Sequence, residues 1–329
     1  MNWTDHNALV TGAGGFIGSH LVETLASKGA NVTAFLHYNS RGDMGLLRDI
    51  DPELLGKVTL YYGDLRDPYA VRQAMENAQT VFHLGALIGI PYSYLHPHDV
   101  VQTNVVGTLN VLSAARDLGV GRIVHTSTSE VYGTARYAPI DEKHPLQGQS
   151  PYAASKIGAD KLVESFHLSF GLPVSTVRPF NTYGPRQSAR AVIPATIAQM
   201  LTRDRIKLGA THPTRDFNYV GDTVAGFLHA ASCDAIIGQT VNIGSGKEIS
   251  IGDLFLLIRR LIGREVELVV DEQRLRPAGS EVERLLADNR KARQLMDWSP
   301  RVELEEGLRR TISWISQHLA MYRPDQYAV

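Results

Sequence analysis

The chain has 329 residues, a length that predicts two domains or one large α/β unit with a sizeable core. Hydrophobic residues make up 43% and charged residues 20%, as in globular proteins and unlike disordered, collagen-like or coiled-coil chains. The 33 basic and 34 acidic residues give a net charge of -1. With no basic surplus, neither nucleic acid nor an anionic membrane surface is expected as a partner.

The sequence carries no sign of export or of a metal cluster. The single cysteine, Cys233, cannot form an internal disulfide or a cysteine-based metal site. The first residues lack a basic segment followed by an apolar one, and no later segment has the roughly 18 uncharged apolar residues that span a bilayer. We therefore expect a cytoplasmic protein without a bound metal.

Short apolar strands alternate with helical segments through the first half of the chain. The predicted strands lie at residues 8–11, 31–36, 58–62, 80–84, 122–127 and 174–178, and the predicted helices at 17–27, 70–76, 105–118 and 152–170. This βαβ alternation predicts six or seven parallel strands in a doubly wound Rossmann α/β sheet.

After Pro179 the pattern changes to shorter elements between Gly/Pro loops, which predicts a second, smaller α/β domain. The expected division is residues 1–179 plus about 217–242 for the first domain, and about 180–216 plus 243–329 for the second. Near the carboxyl terminus an apolar stripe predicts a helix packed on the core: Leu304, Leu308, Ile312, Ile315 and Leu319.

A glycine loop directly follows the first strand and opens the first helix. Gly12 permits the tight turn, Gly15 lets backbone approach a pyrophosphate, and Gly18 lets the helix pack on the strand. Phe16 and Ile17 begin the helix, whose amino end supplies N–H donors and a positive dipole. This arrangement predicts a dinucleotide site.

The segment after the second strand contains no carboxylate up to residue 41. A carboxylate there would bind an adenosine ribose, whereas His37, Ser40 and Arg41 are suited to a 2′-phosphate, so NAD and NADP both remain open. Asp64 and Leu65, after the third strand, are expected near the adenine. Two further cofactor contacts are expected where the fourth strand ends: Leu84 and Ala86.

Tyr152 and Lys156 are four residues apart, which places them on one face of a helix. A nearby ammonium favours a phenolate, so Lys156 is expected to lower the pKa of Tyr152 and let it take a proton from a substrate hydroxyl. A strand that ends in a run of hydroxyl residues precedes this pair and contributes Thr128.

Together these motifs resemble the extended short-chain dehydrogenases/reductases of the nucleotide-sugar epimerase/dehydratase group, from about residue 7 to 320. The matching segments are residues 12–18, 63–65, 103–108, 127–133, 152–156, 178–186, 215–217 and 241–244. Residues 87–94, 145–152 and 187–194 are most similar to 4,6-dehydratases of bacterial legionaminate-type pathways, which act on nucleotide-linked N-acetylglucosamine.

The resemblance implies specific roles. Thr128, Tyr152 and Lys156 would carry the redox step on a tightly held, internally recycled NAD or NADP. A nucleotide sugar would be bound, mostly by the second domain, through Thr128, Asn181, Val192, Lys207, Arg215, Asn242 and Arg276. Asn181 and Arg215 would hold its diphosphate. The helices at 105–118 and 152–170 resemble those that pair across a two-fold axis in this group, so a homodimer is expected.

The reaction depends on Ser129 and Glu130. In 4,6-dehydratases an Asp-Glu pair follows the threonine: the Glu removes the C5 proton and the Asp protonates the departing C6 hydroxyl. Here Ser129 stands in the Asp position and is a poor acid, so Glu130 would have to deliver the proton that it took. We therefore expect a 4,6-dehydratase acting on NDP-N-acetylglucosamine or NDP-glucose. A nucleotide-glucuronate decarboxylase, a 4-epimerase and an inactive nucleotide-binding scaffold on the same fold are the alternatives.

Overall fold

The computed structural model describes residues 1–275 and 277–322. Its strands are β1 (Asn7–Thr11), β2 (Asn31–His37), β3 (Val58–Gly63), β4 (Thr80–His83), β5 (Arg122–Thr126), β6 (Val174–Pro179), β7 (Asn181–Tyr183), β8 (Arg205–Leu208), β9 (Thr214–Tyr219), β10 (Thr240–Ile243), β11 (Glu248–Ser250), β12 (Glu267–Val270) and β13 (Arg284–Leu285). Its helices are α1 (Phe16–Ser27), α2 (Pro52–Leu55), α3 (Pro68–Met75), α4 (Ile90–Leu95), α5 (Pro97–Val101), α6 (Gly107–Leu118), α7 (Pro151–Phe170), α8 (Val192–Thr202), α9 (Val220–Ser232), α10 (Ile251–Ile262), α11 (Arg290–Met296) and α12 (Leu304–Gln317).

The large sheet has seven strands in the order β3-β2-β1-β4-β5-β6-β10, and every neighbouring pair is parallel. The predicted Rossmann sheet is therefore confirmed. The predicted helix at residues 105–118 is the end of a longer one, because α5 continues through a π-helical turn into α6.

Helices cover both faces of the large sheet, as successive strand residues require. In β1, Leu9 packs into the cluster that contains α3, α6 and α7 side chains, whereas Val10 packs into the cluster with α1 and α9. Neighbouring strand residues point to opposite faces, so an unbroken apolar strand needs both layers of helix. The carboxyl edge of the sheet is left for the loops.

The second region is held together by segments that are distant in sequence. β7 and β13 run parallel to β9 and β11 runs antiparallel to it, while β8 pairs with β12. Its core includes Ile197, Leu254 and Leu308, and the predicted stripe of α12 packs there, with Leu308 and Ile315 fully buried. We keep the two-domain division given above as a proposal, although β9 crosses its boundary at about residue 217.

Within the described part of the chain, no helix is long and apolar enough to cross a bilayer.

Candidate active site

A cavity of about 780 Å³ opens at the carboxyl edge of the large sheet, where the strand order reverses between β1 and β4. Such switch points are where doubly wound sheets bind dinucleotides. Fifteen of the predicted site residues line it: Gly12, Gly15, Phe16, Ile17, Gly18, His37, Ser40, Arg41, Leu84, Ala86, Thr128, Ser129, Glu130, Tyr152 and Asn181.

The glycine loop has the geometry that a bound pyrophosphate requires. Gly12 has φ +68°, and a Cβ there would lie 2.8 Å from the Gly85 nitrogen. A Cβ at Gly18 would collide with the Gly12 carbonyl oxygen, so no side chain fits between loop and helix. Gly15 is the residue before α1, and no side chain caps the amino end of this helix. The amino end of α1 therefore presents N–H groups to the cavity, and these residues fit a dinucleotide.

The loop after β2 brings an acid to the cavity that the sequence interpretation did not consider. The Asn39 side chain accepts from the Arg41 and Asp43 backbone N–H groups and folds the loop back on itself. Asp43 thereby lines the same cavity as Arg41, with its carboxylate 2.5 Å from the Arg48 guanidinium. Both a cation and a paired anion thus lie near the expected ribose position.

Asp64 and Leu65 line a smaller neighbouring cavity of about 220 Å³, together with Gly12, His37 and Ala86. The Asp64 carboxylate lies 2.6 Å from the Arg66 guanidinium. Hydrogen bonding from Arg66 lowers the pKa of Asp64 despite partial burial. The carboxylate is thus already paired, and the adenine contact of Asp64 stays a prediction.

The predicted tyrosine and lysine lie on one face of α7, where Ser150 caps the helix by accepting from the Ala153 N–H at 3.1 Å. Tyr152 lines the cavity, whereas Lys156 lies behind it and donates to the Thr126 carbonyl oxygen at 2.7 Å. The expected lowering of the Tyr152 pKa is not found. Burial raises the pKa of Tyr152, a hydrogen bond with Thr128 lowers it, and the charges of Glu130 and Asp160 raise it further.

Thr128, Ser129 and Glu130 come together with Tyr152 because β5 ends beside the amino end of α7. The Thr128 hydroxyl accepts from the Glu130 N–H at 3.2 Å as the chain enters a 3-10 turn over Ser129–Tyr132. Ser129 is almost fully buried, and Glu130 is half-buried against the cavity. A carboxylate, a phenol and a threonine hydroxyl thus line one wall of the cavity.

A buried ionic cluster behind this wall was missed by the sequence interpretation. The Asp160 carboxylate accepts hydrogen bonds from Ser127 Oγ at 2.8 Å, Arg178 Nη2 at 2.8 Å and His125 Nε2 at 3.2 Å. Although burial alone would raise it, His125 and Arg178 lower the pKa of Asp160 to about 2. A signal was available, since Asp160 follows Lys156 by the same four residues that separate Lys156 from Tyr152.

Three buried polar atoms on the cavity wall lack a hydrogen-bond partner among the described residues. They are Thr126 Oγ1, Asn181 Oδ1 and Gln187 Oε1. Buried polar groups are normally paired, so these atoms are suited to a ligand. Asn181 was predicted to bind substrate, whereas Gln187 was not assigned a role.

The remaining predicted substrate residues do not line this cavity. Val192 begins α8, and Lys207 on β8 is largely exposed, 4.0 Å from Asp271. Arg215 lies 3.2 Å from Glu281 and donates to the Thr214 carbonyl oxygen. Arg276 lies outside the described residues.

Asn242 has contacts other than those predicted. It is completely buried, accepts from the Tyr132 hydroxyl at 2.7 Å and donates to the Ile140 carbonyl oxygen at 3.1 Å. Both of its side-chain polar atoms are thereby engaged within the protein, and direct substrate contact by Asn242 stays a prediction. Across the described residues no cluster of His, Cys, Asp and Glu is arranged to hold a metal ion.

Comparison with known proteins identifies the family. The family model described as GDP-mannose 4,6 dehydratase matches residues 9–311. A dTDP-glucose 4,6-dehydratase of Streptomyces antibioticus is 34% identical over 97% of this chain and 95% of its own length. A UDP-glucuronate 4-epimerase of Thermodesulfobacterium geofontis is 32% identical over 96% of this chain and 98% of its own.

The solved structure of DesIV, a dTDP-glucose 4,6-dehydratase of Streptomyces venezuelae with NAD and TYD bound, superposes with a TM-score of 0.85. It is 29% identical and covers 97% of this chain and 100% of its own. Decarboxylases also match at similar identity. The chain therefore belongs to the GDP-mannose 4,6-dehydratase family of extended short-chain dehydrogenases/reductases, whose members are NAD-dependent dehydratases, epimerases and decarboxylases of nucleotide sugars.

Proposed function

We propose that this protein is a nucleotide-sugar 4,6-dehydratase that converts NDP-N-acetylglucosamine or NDP-glucose to the 4-keto-6-deoxy sugar. The observation that carries the proposal is that Glu130 lines the same cavity wall as Tyr152 and Thr128. A C4 redox step alone needs the tyrosine and its hydroxyl partner. A carboxylate beside them supplies the base that a C5 proton requires.

In this mechanism Tyr152 takes the C4 hydroxyl proton while Thr128 holds that hydroxyl and Lys156 supplies positive charge. The residues of the glycine-loop cavity would hold a nicotinamide dinucleotide, which would supply hydride acceptance for the C4 step and hydride donation for the C6 step. Glu130 would remove the C5 proton, made acidic by the C4 ketone, and deliver it to the departing C6 hydroxyl, which leaves as water. Hydride addition at C6 then requires a proton at C5, and this proton balances the one that Tyr152 took from the C4 hydroxyl. Ser129 would orient that hydroxyl rather than protonate it, since a serine is too weak an acid to donate a proton near neutral pH.

Two related activities are the alternatives within the family. A nucleotide-glucuronate decarboxylase would also fit the Thr-Ser-Glu run at residues 128–130, since loss of carbon dioxide needs no leaving-group acid. In a 4-epimerase no C5 proton is removed, so Glu130 would have no role as a base. An inactive scaffold is disfavoured because Tyr152, Thr128 and Glu130 converge on the cavity.

Mass spectrometry after incubation with a panel of nucleotide sugars tests the proposal, with Tyr152→Phe as the inactive control. We expect loss of one water from a neutral hexose. Loss of carbon dioxide from a uronate would establish the decarboxylase instead, and unchanged mass with altered stereochemistry would establish the epimerase. No change with any sugar would support the scaffold.

We further propose that the cofactor is NAD or NADP, held tightly and recycled, because the hydride leaves and returns within one turnover. Protein purified without added cofactor should release a nicotinamide dinucleotide on denaturation, and turnover should need no reductant. Stoichiometric consumption of NADH or NADPH would contradict this and indicate a reductase.

We also propose a homodimer formed through α6 and α7. Leu109, Leu168 and Phe170 are exposed apolar side chains on these two helices. Pairing them across a two-fold axis would bury apolar surface in an isologous interface. Light scattering at micromolar concentration should give twice the chain mass, and a monomer mass would contradict the interface.

A further inference from the structure

The side-chain amide of Gln187, on the wall of the active-site cavity, is paired at only one of its two ends. Its Nε2 donates to the Thr182 carbonyl oxygen at 2.8 Å. Its Oε1 is buried and has no hydrogen-bond partner among the described residues. Only the nitrogen of an amide can donate to a carbonyl oxygen, so the Thr182 contact establishes that the unpaired end is the acceptor. A buried acceptor without a partner is costly, which makes this oxygen suited to a ligand.

The backbone around Gln187 is held by contacts with both ends of the chain. The Gln187 carbonyl oxygen accepts from the hydroxyl of the buried Tyr322 at 3.0 Å. The preceding residue, Arg186, pairs with Glu23 and donates to His20 Nδ1 at 2.9 Å, and both of these partners lie on α1. A group that is already ordered loses little conformational entropy when a ligand binds it, so this acceptor is prepared for binding.

The chemistry of an amide oxygen selects which part of a ligand it can bind. Gln187 Oε1 has lone pairs and no proton, so its partner must carry an N–H or O–H group. Phosphate groups near neutral pH offer mainly acceptors and would repel it, whereas they suit the N–H groups at the amino end of α1. The donors that remain on a dinucleotide or nucleotide sugar are the nicotinamide carboxamide, the ribose hydroxyls and the sugar hydroxyls.

We infer that Gln187 is a ligand-binding residue, whose Oε1 accepts one hydrogen bond from an N–H or O–H group of the dinucleotide or of the nucleotide sugar. For the nucleotide sugar the inference rests on the proposed function, whereas for the dinucleotide it rests on the cavity and its glycine loop. The ligand would pair the one acceptor of this amide that the protein leaves unpaired. Loss of one such neutral hydrogen bond corresponds to about a three- to tenfold loss of affinity.

Calorimetric titration of Gln187→Met tests the dinucleotide as the source of the donor. Methionine keeps the length of the side chain and removes both polar atoms. Protein stripped of cofactor is titrated with NAD or NADP, whichever binds more tightly, and with its acetylpyridine analogue, in which a methyl ketone replaces the carboxamide. A weakening of about three- to tenfold for the natural cofactor alone would identify the carboxamide as the donor. Equal weakening of both would identify a ribose hydroxyl.

A second titration tests the nucleotide sugar. UDP-N-acetylglucosamine and dTDP-glucose are titrated into cofactor-loaded protein that carries Tyr152→Phe to block turnover, with and without Gln187→Met. Weakening here, with cofactor affinity unchanged, would identify a sugar-nucleotide hydroxyl or amide as the donor. If neither compound binds when Gln187 is intact, the proposed function fails for these sugars, and the dinucleotide titration by itself decides on Gln187.

Gln199→Met is the matched control. Gln199 on α8 is buried, but its Nε2 donates to the Ala195 and Lys207 carbonyl oxygens at 3.1 and 3.2 Å and its Oε1 accepts from the Lys207 N–H at 2.9 Å. This variant should lose stability and keep every affinity within about twofold.

The same titrations also decide against the inference. Affinities for the cofactor and for each sugar nucleotide that binds, all unchanged within about twofold in Gln187→Met, would overturn it and leave Gln187 a structural residue. If Gln187→Met does not fold, Gln187→Asn replaces it, because asparagine keeps the amide but withdraws the acceptor by one methylene group. The same weakening is then expected, and unchanged affinities would again overturn the inference.

Discussion

The two regions of the molecule reach the cavity by different routes. In the dinucleotide region, the wall is built from loops that directly follow β1, β2, β4 and β5, so residues close in sequence remain close in space. In the second region, β7, β9, β11 and β13 come from segments between residues 181 and 285, and only their pairing brings them together. Local motifs therefore identify sites in the first region much better than in the second.

Glu130 provides the sharpest test of this comparison, because it follows a strand of the dinucleotide region but is proposed to act on the sugar. Glu130→Gln keeps size and hydrogen bonding while removing the base. C4 oxidation should survive and elimination should slow by about 10² to 10⁴. Stopped-flow absorbance should show reduced cofactor accumulating, and the C5 hydrogen should not exchange with heavy water. Wild-type exchange at C5 in the variant would assign the base to another residue.

The contact between His20 of the first region and Pro185 and Arg186 of the second is expected to weaken as the pH falls. His20 on α1 is hydrogen-bonded to Arg186 at 2.9 Å and to the Pro185 carbonyl oxygen at 2.9 Å, and Arg186 also pairs with Glu23. Burial, together with the charge of Arg186, lowers the pKa of His20 from 6.5 to about 4 even though the Pro185 bond raises it.

Between pH 6.5 and 4, His20 is protonated in the unfolded chain but neutral in the folded chain. The free energy of unfolding therefore falls as the pH drops from 6.5 towards 4. The loss amounts to at most about 3 kcal/mol. Chemical denaturation of His20→Gln should show a correspondingly flatter pH dependence over that interval. An identical slope in the variant and the wild type would remove His20 as the cause.

Asn181 and Lys207 were both predicted to bind substrate, but only Asn181 lines the cavity, so substituting each of them tests which prediction is right. Asn181 lines the cavity with an unpartnered oxygen, whereas Lys207 lies on an exposed strand outside it. Asn181→Ala should raise KM about tenfold, the usual effect of one lost hydrogen bond, and Lys207→Ala should leave KM within about twofold. The reverse order in steady-state kinetics would mean that the substrate follows another path across this region.

The smallest expected effect concerns the exposed loop after β2. Arg41→Ala should weaken NADP binding a few-fold more than NAD binding if the guanidinium meets a 2′-phosphate, since an exposed ionic contact contributes about 1 kcal/mol or less. Calorimetric titration of stripped protein with both cofactors measures this difference. Equal weakening would point to Asp43 and the Asn39-folded loop as the ribose contact instead.

The sequence by itself determined the Rossmann sheet, the glycine loop and the Tyr152–Lys156 pair. Each of these depends on spacing within one strand, loop or helix: period two for strands, three to four for helices, and glycine where backbone must turn. The family resemblance added Thr128, Glu130 and Asn181, and all three line the cavity.

Only the tertiary structure decided the contacts that join distant segments. The fold of the loop after β2 places Asp43 at the cavity. The tertiary structure also places Asn242 where it hydrogen-bonds to the Tyr132 hydroxyl and the Ile140 carbonyl oxygen. It also surrounded Asp160 with side chains from β5, β6 and the turn after β5. Burial then reversed the expected direction of the Tyr152 pKa, because desolvation depends on everything packed around a group and not on its neighbours in the chain.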